Sequence, residues 1–290
     1  MAARAGGQRR QRKGRSRLIA HANETVVSPD AREVMHDQAG IAAALARVRA
    51  AIAAACVGCG RSPDTVRLLP VTKTVPAERV RQAIAAGLRE FGENKVQEAR
   101  AKAEALADLP IAWSVIGHLQ TNKARHVARF ACEFQALDSL HVAEALDRRL
   151  AVERRQLDVF VQVNTSGEAS KFGVPPADVA AFVRHLPVFS HLRVRGLMTL
   201  AVFSSDVARV RRCFALLREL RDRLRQSAPP GLSFDELSMG MSGDFTTAIE
   251  EGATIVRVGQ AIFGPRPLPD SHYWPGAAGA GRNHAVEPVT

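Results

Sequence analysis

A chain of 290 residues with 46% hydrophobic content is long enough for one large α/β barrel or two smaller domains. Its net charge of +11 is concentrated: Arg4, Arg9, Arg10, Arg12, Lys13, Arg15 and Arg17 all precede the first acid, Glu24, and removing those seven leaves +4, so nucleic-acid binding is not expected of the body of the chain. No run reaches the ~18 continuous apolar residues of a membrane span, and Leu18-Ile19-Ala20 is too short for a signal segment, so the expected location is the cytoplasm.

Residues 1 to 35 carry charge without apolar periodicity and are expected to form a disordered tail. Over residues 38 to 56, Ile41, Leu45, Val48 and Ile52 recur at helical spacing, and Gly58 and Gly60 follow as stop signals. Cys56 and Cys59 have CxxC spacing, but no second Cys or His pair accompanies them to complete a zinc site. Short β-rich runs then recur at 66 to 71, 88 to 92, 112 to 116, 133 to 137, 158 to 163, 192 to 198, 234 to 238 and 254 to 258, each followed by a helical pattern. Pro76 opens one of these helices and Gly87 closes it, and Pro175 and Pro176 open another. Eight strand–helix units without a break predict a single-domain (β/α)8 TIM barrel over residues 36 to 267; an open doubly wound sheet shares the same local grammar. Residues 268 to 290, rich in Gly and Pro, read as a C-terminal tail.

The residues just past each strand favour the barrel, because they read Lys73, Glu93-Asn94, His118, Asp138-Ser139, Asn164, Met198-Thr199, Ser238 to Asp244, and Arg257. In a barrel such positions gather on one rim. Lys73 is one of six lysines against 34 arginines, and only an amine can lose its proton and add to a carbonyl, so Schiff-base chemistry is one reading and an exposed strand-end charge the other. The loop Ser238-Met239-Gly240-Met241-Ser242-Gly243-Asp244 opens a helix and reads as a phosphate cradle or as a plain helix cap. With Gly259 after the eighth strand it completes the loop pair where barrels commonly bind phosphate. An amine and a phosphate cradle on one rim point to pyridoxal 5'-phosphate. Arg257, within an apolar strand, either faces the pyridine nitrogen of that cofactor or pairs with a carboxylate such as Glu93 or Glu236.

Several segments together carry a resemblance. They are Pro70-Val71-Thr72-Lys73-Thr74, Phe91-Gly92-Glu93-Asn94-Lys95-Val96-Gln97-Glu98, Ile116-Gly117-His118-Leu119-Gln120-Thr121-Asn122-Lys123, Lys171-Phe172-Gly173-Val174, Gly196-Leu197-Met198-Thr199, the 238 to 244 loop, and Val256-Arg257-Val258-Gly259-Gln260. In this order the chain resembles the pyridoxal phosphate homeostasis proteins, the YggS or PROSC family. The resemblance implies a barrel like the N-terminal domain of alanine racemase, and Lys73 as the residue that forms the aldimine. It implies that Ser242 with the backbone around Gly243, Gly259 and Gln260 holds the phosphate, that Arg257 faces the ring nitrogen, that Asn94 and Met198 line the ring pocket, and that Ser238 belongs to the cofactor-binding set. It also implies a carrier or regulator of pyridoxal phosphate supply and amino-acid balance rather than an enzyme; pyridoxal-phosphate-dependent apoenzymes are the expected partners and a monomer the expected state. Val75 departs from the pattern, since many members have a second lysine there.

The competing reading is an amino-acid racemase, which needs a second acid/base opposite the lysine. The single tyrosine, Tyr273, lies beyond the barrel; His118 and His141 are the remaining substitutes.

Overall fold

A computed structural model describes residues 29–265, with side chains from Gly40 onward. Most of the two expected tails lies outside the described residues. The leading helix α1 spans Pro29–Gly58, beginning nine residues before the expected position 38. Proline suits the first helical position, where its missing N–H is no loss, and residues 30 to 37 contain no helix breaker. By length and composition the segment Gly40–Gly58 of this helix could cross a membrane. It carries Arg47 and Arg49, however, and its stripe Ile41, Leu45, Val48, Ile52 and Cys56 is buried against the barrel, with α1 packed on α2, α8 and α9. Cys56 therefore fills core volume at the helix end, while Cys59 is exposed.

Eight parallel strands follow: β1 (Arg67–Pro70), β2 (Glu90–Glu93), β3 (Ala112–Val115), β4 (Glu133–Leu137), β5 (Leu157–Gln162), β6 (Leu192–Met198), β7 (Glu236–Ser238) and β8 (Ile255–Val258). Their spatial order is β1-β8-β7-β6-β5-β4-β3-β2. The remaining seam, between β1 and β2, is closed by a parallel bridge from Val71 to Gly92 and by the Thr72 N–H donating to the Gly92 carbonyl at 3.0 Å. The result is the expected (β/α)8 barrel rather than an open sheet. Helices α2 (Ala77–Ala85), α3 (Val96–Ala105), α4 (Ala124–Phe130), α5 (Leu140–Glu153), α6 (Val179–Arg184), α7 (Val207–Ser227), α8 (Phe245–Glu250) and α9 (Gln260–Phe263) alternate with the strands.

The strands are largely buried because a barrel wall is covered on both faces, although β6 begins with the exposed Arg193 and Arg195 alternating with buried residues. Every residue of β4 and of β8 is buried. The helices present their apolar stripe inward, as in α7, where Val210, Phe214, Leu217, Leu220 and Leu224 are buried at helical spacing. Its N-terminus is capped by Asp206, whose carboxylate accepts from the N–H groups of Ala208 and Arg209.

One close approach fixes a residue choice. In β6, a Cβ on Gly196 would lie 1.9 Å from the Glu236 carbonyl oxygen of β7, so the neighbouring strand backbone occupies the space of a side chain. Gly196→Ala is therefore expected to destabilise the fold by about 3 kcal/mol, the upper end of overpacking penalties, because backbone rather than a flexible side chain must give way. Urea denaturation should show this as a lower midpoint; an unchanged midpoint would mean that the β6–β7 spacing adapts freely.

Candidate functional site

Because all eight strands run parallel, their C-terminal ends share one rim, and the loops there enclose a cavity of about 610 Å³. Seven of the nine residues singled out from sequence line it: Lys73, Asn94, Ser242, Gly243, Arg257, Gly259 and Gln260. They come from the loops after β1, β2, β7 and β8 and from β8 itself, elements that the ladder order makes neighbours.

Met198 and Ser238 do not line the cavity. The register pairs Gln162 with Met198 and Met198 with Ser238, so both sit in one row beneath the rim and are fully buried. The wall above them is made by residues 200 to 204. Ser238 instead supports Arg257: its hydroxyl accepts from Arg257 Nη1 at 2.6 Å and donates to Gln135 Oε1 at 2.6 Å. The chain continues downward, with Gln135 Nε2 donating to Glu133 Oε1 at 2.6 Å and Arg67 Nη2 meeting Glu133 Oε2 at 2.5 Å.

Arg257 is 3% exposed, and Nη2 donates to the Thr199 carbonyl at 2.7 Å. Burial pushes its pKa down to about 10 against the opposing attraction of Asp244, so the guanidinium remains charged at neutral pH. The two carboxylates considered as its partner are engaged elsewhere. Glu93 meets Lys102 Nζ at 2.6 Å, and Glu236 lies 3.7 Å from Arg195.

The loops after β7 and β8 meet at Ser242. The N–H groups of Gly259 and Ala261 both point at its hydroxyl oxygen, at 3.3 and 3.5 Å. Gly259 comes close to β1, since a Cβ there would lie 3.0 Å from the Val71 carbonyl oxygen. Asp244, unremarked in the sequence beyond closing its loop, also lines the cavity. Its carboxylate accepts from the Met241 N–H at 2.5 Å; burial pushes its pKa up, while that bond and the charge of Arg257 pull it down. Arg79, on α2, is a further wall residue that sequence reasoning missed. Its place one turn beyond Pro76, directly after the Lys73 segment, was the available signal.

The other strand-end residues are structural. Ser139 caps α5 by accepting from the Val142 N–H. Asn164 holds its own loop by donating to the carbonyls of Glu168 and Lys171. His118 stacks on Phe172 with ring centroids 3.9 Å apart and lies 3.2 Å from Asp138. His141 lines a separate groove with Glu144, Arg148 and Arg149.

Residues 30–267 match the family model described as alanine racemase, N-terminal domain. The pyridoxal phosphate homeostasis protein of Pseudomonas aeruginosa is 46% identical over 226 residues, covering 78% of this chain and 96% of that protein. PipY of Synechococcus elongatus, solved with PLP bound, superposes with a TM-score of 0.68 at 38% identity, covering 77% of this chain and all of that one. The alanine racemase of Streptomyces lavendulae, at 16% identity and a TM-score of 0.62, shares the fold alone; the match covers 59% of its chain. The chain thus belongs to the family of pyridoxal phosphate homeostasis proteins, built on the alanine racemase N-terminal domain.

Proposed function

We propose that this protein binds pyridoxal 5'-phosphate, attached through Lys73, and serves its homeostasis and supply to apoenzymes, acting as a cytoplasmic monomer without amino-acid turnover. The observation that carries the reading is convergence: a lysine, the loops after β7 and β8, and a buried arginine all line one cavity. The residues fit the cofactor's three recognisable parts. The amine of Lys73 suits an aldehyde, the Ser242 hydroxyl with the Gly259 and Ala261 N–H groups suits a phosphate, and Arg257 suits an unprotonated ring nitrogen. PipY, solved with PLP bound, supports the same reading.

When bound, pyridoxal phosphate supplies an electrophilic carbon and a ring able to accept electron density. The chain's own part is to hold and to restrain. Arg257, charged at neutral pH, would keep a proton off a ring nitrogen placed against it and so weaken the ring as an electron sink. Ile116, Leu200, Ala201, Val202 and Phe203 give the cavity an apolar wall that limits water.

The racemase alternative requires an acid/base facing Lys73 across the cavity. Among the described residues, the ionisable side chains lining it are Lys73, Arg79, Asp244 and Arg257. Both histidines considered for the role sit elsewhere, and Tyr273 lies outside the described residues.

Borohydride reduction of the loaded protein followed by peptide mass mapping should label Lys73, and Lys73→Ala should lose the cofactor's visible absorbance. Label on Lys95, Lys123 or Lys171 would move the site. Ser242→Ala is expected to weaken cofactor affinity by about 1–3 kcal/mol, the range for a hydrogen bond to a charged group, with an unchanged circular dichroism spectrum. Unaltered affinity would reduce the 238 to 244 loop to a helix cap. Solvent deuterium exchange at the α-carbon of alanine and serine should stay far below the usual enzymatic range of about one to a thousand per second. Lys73-dependent exchange within that range would establish an enzyme.

A further inference from the structure

Lys73 occupies the second position of a tight turn over residues 72 to 75, closed by the Val75 N–H donating to the Thr72 carbonyl at 2.9 Å. The third position is Thr74, with φ of 64°. Turns with positive φ at that position ordinarily use Gly or Asn, and a β-branched residue there is strained. Such a conformation persists only where surrounding contacts impose it.

Those contacts come from one cluster on β2 and α3. The Thr74 N–H donates to Glu98 Oε1 at 2.6 Å, and the Thr72 hydroxyl donates to Glu93 Oε1 at 2.5 Å. Lys102 Nζ joins them, donating to the Thr72 carbonyl and to Glu93 Oε1, each at 2.6 Å, and to Glu98 Oε1 at 2.8 Å. One ammonium thus ties together both carboxylates, which grip the turn at its first and third positions. The side chains of Lys102 and Glu93 are 7% and 0% exposed, and none of the three acids and bases lines the cavity.

We propose that Lys102, Glu93 and Glu98 are positioning residues: a buried ionic cluster that holds residues 72 to 75 in a strained turn so that the Lys73 amine faces the cofactor cavity. A buried ion pair is a poor source of net stability compared with apolar packing, but it fixes geometry because removing one partner leaves a buried charge unpaired. The cluster therefore trades stability for a defined direction of the amine. The proposal rests on Lys73 being the point of attachment.

Glu98 is the member to vary, because its side chain is 26% exposed and its loss leaves the Lys102–Glu93 pair intact. Glu98→Ala should weaken capture of pyridoxal phosphate, followed by absorbance titration, by about tenfold, as for one lost charge-assisted hydrogen bond. In the cofactor-free protein it should also speed amide hydrogen exchange in the peptide holding residues 72 to 75. Glu98→Gln, which keeps an acceptor oxygen, should recover most of both. Thr74→Gly combined with Glu98→Ala should restore capture, since glycine adopts the positive φ without strain. Normal capture by Glu98→Ala would overturn the inference, whether or not exchange changes. So would weakened capture that neither Glu98→Gln nor Thr74→Gly repairs. Failure of the unaltered protein to capture the cofactor would instead refute the cofactor reading, and this inference with it.

Discussion

A single buried guanidinium organises the interior of this barrel. Arg257 lies in an apolar strand with almost no access to water, where an unsatisfied charge would cost several kcal/mol. Two of its N–H groups donate to the Thr199 carbonyl and the Ser238 hydroxyl, and Ser238 connects on to Gln135, Glu133 and Arg67. The chain begins and ends on arginines and has one carboxylate between them. It ties β8 to β7, β4 and β1 through side chains as well as through the backbone ladder. Arg257 thereby becomes the fixed floor of the cavity, and its charge is carried by hydrogen bonds and the nearby Asp244 rather than by a direct ion pair.

The wall of the cavity depends on a different constraint, the closing seam between β1 and β2. Only the Val71–Gly92 bridge and the Thr72 N–H bond join the backbones there. Side chains complete the seam, since the Thr72 hydroxyl and Lys102 both meet Glu93. This junction thus also carries a buried ion pair, and Lys73 follows immediately after it. Burial pushes the Glu93 carboxyl up in pKa while Lys102 and the Thr72 hydroxyl pull it down. Closing the barrel and orienting the amine are one structural problem, solved by one cluster.

How much of this was legible in the sequence divides along physical lines. Strand positions were, because runs such as Leu157–Gln162 are built around β-branched and aromatic residues, here Val159, Phe160 and Val161. The rim residues Lys73, Asn94, Ser242 and Gly259 were also legible, because polar groups stand out at the ends of apolar strands. Register was not. Counting past a strand end cannot tell that Met198 and Ser238 share a row one layer too low, nor that Ser139 and Asn164 spend their polar atoms on caps and loops. The cluster around Lys102 was equally hidden. Its members are spread over residues 72 to 102 on three elements, and a lone lysine within a helix reads as solvated until the barrel closes over it.

Val75 gives the cavity a distinctive chemistry. It lines the wall two residues after Lys73. An apolar side chain there cannot accept the cofactor's aldehyde, so Lys73 is the lysine on this wall among the described residues. Lys171, on the opposite loop, has its amine committed to the Ala201 carbonyl at 2.8 Å and to Glu168 at 2.6 Å. The Lys102 amine is buried in the seam. Phe203, with an exposed ring, lines the wall of the cavity formed by residues 200 to 204. With attachment at Lys73 as proposed, release would be set by the turn that carries this residue and by the loops after β7 and β8, since among the described residues no second lysine lines the wall.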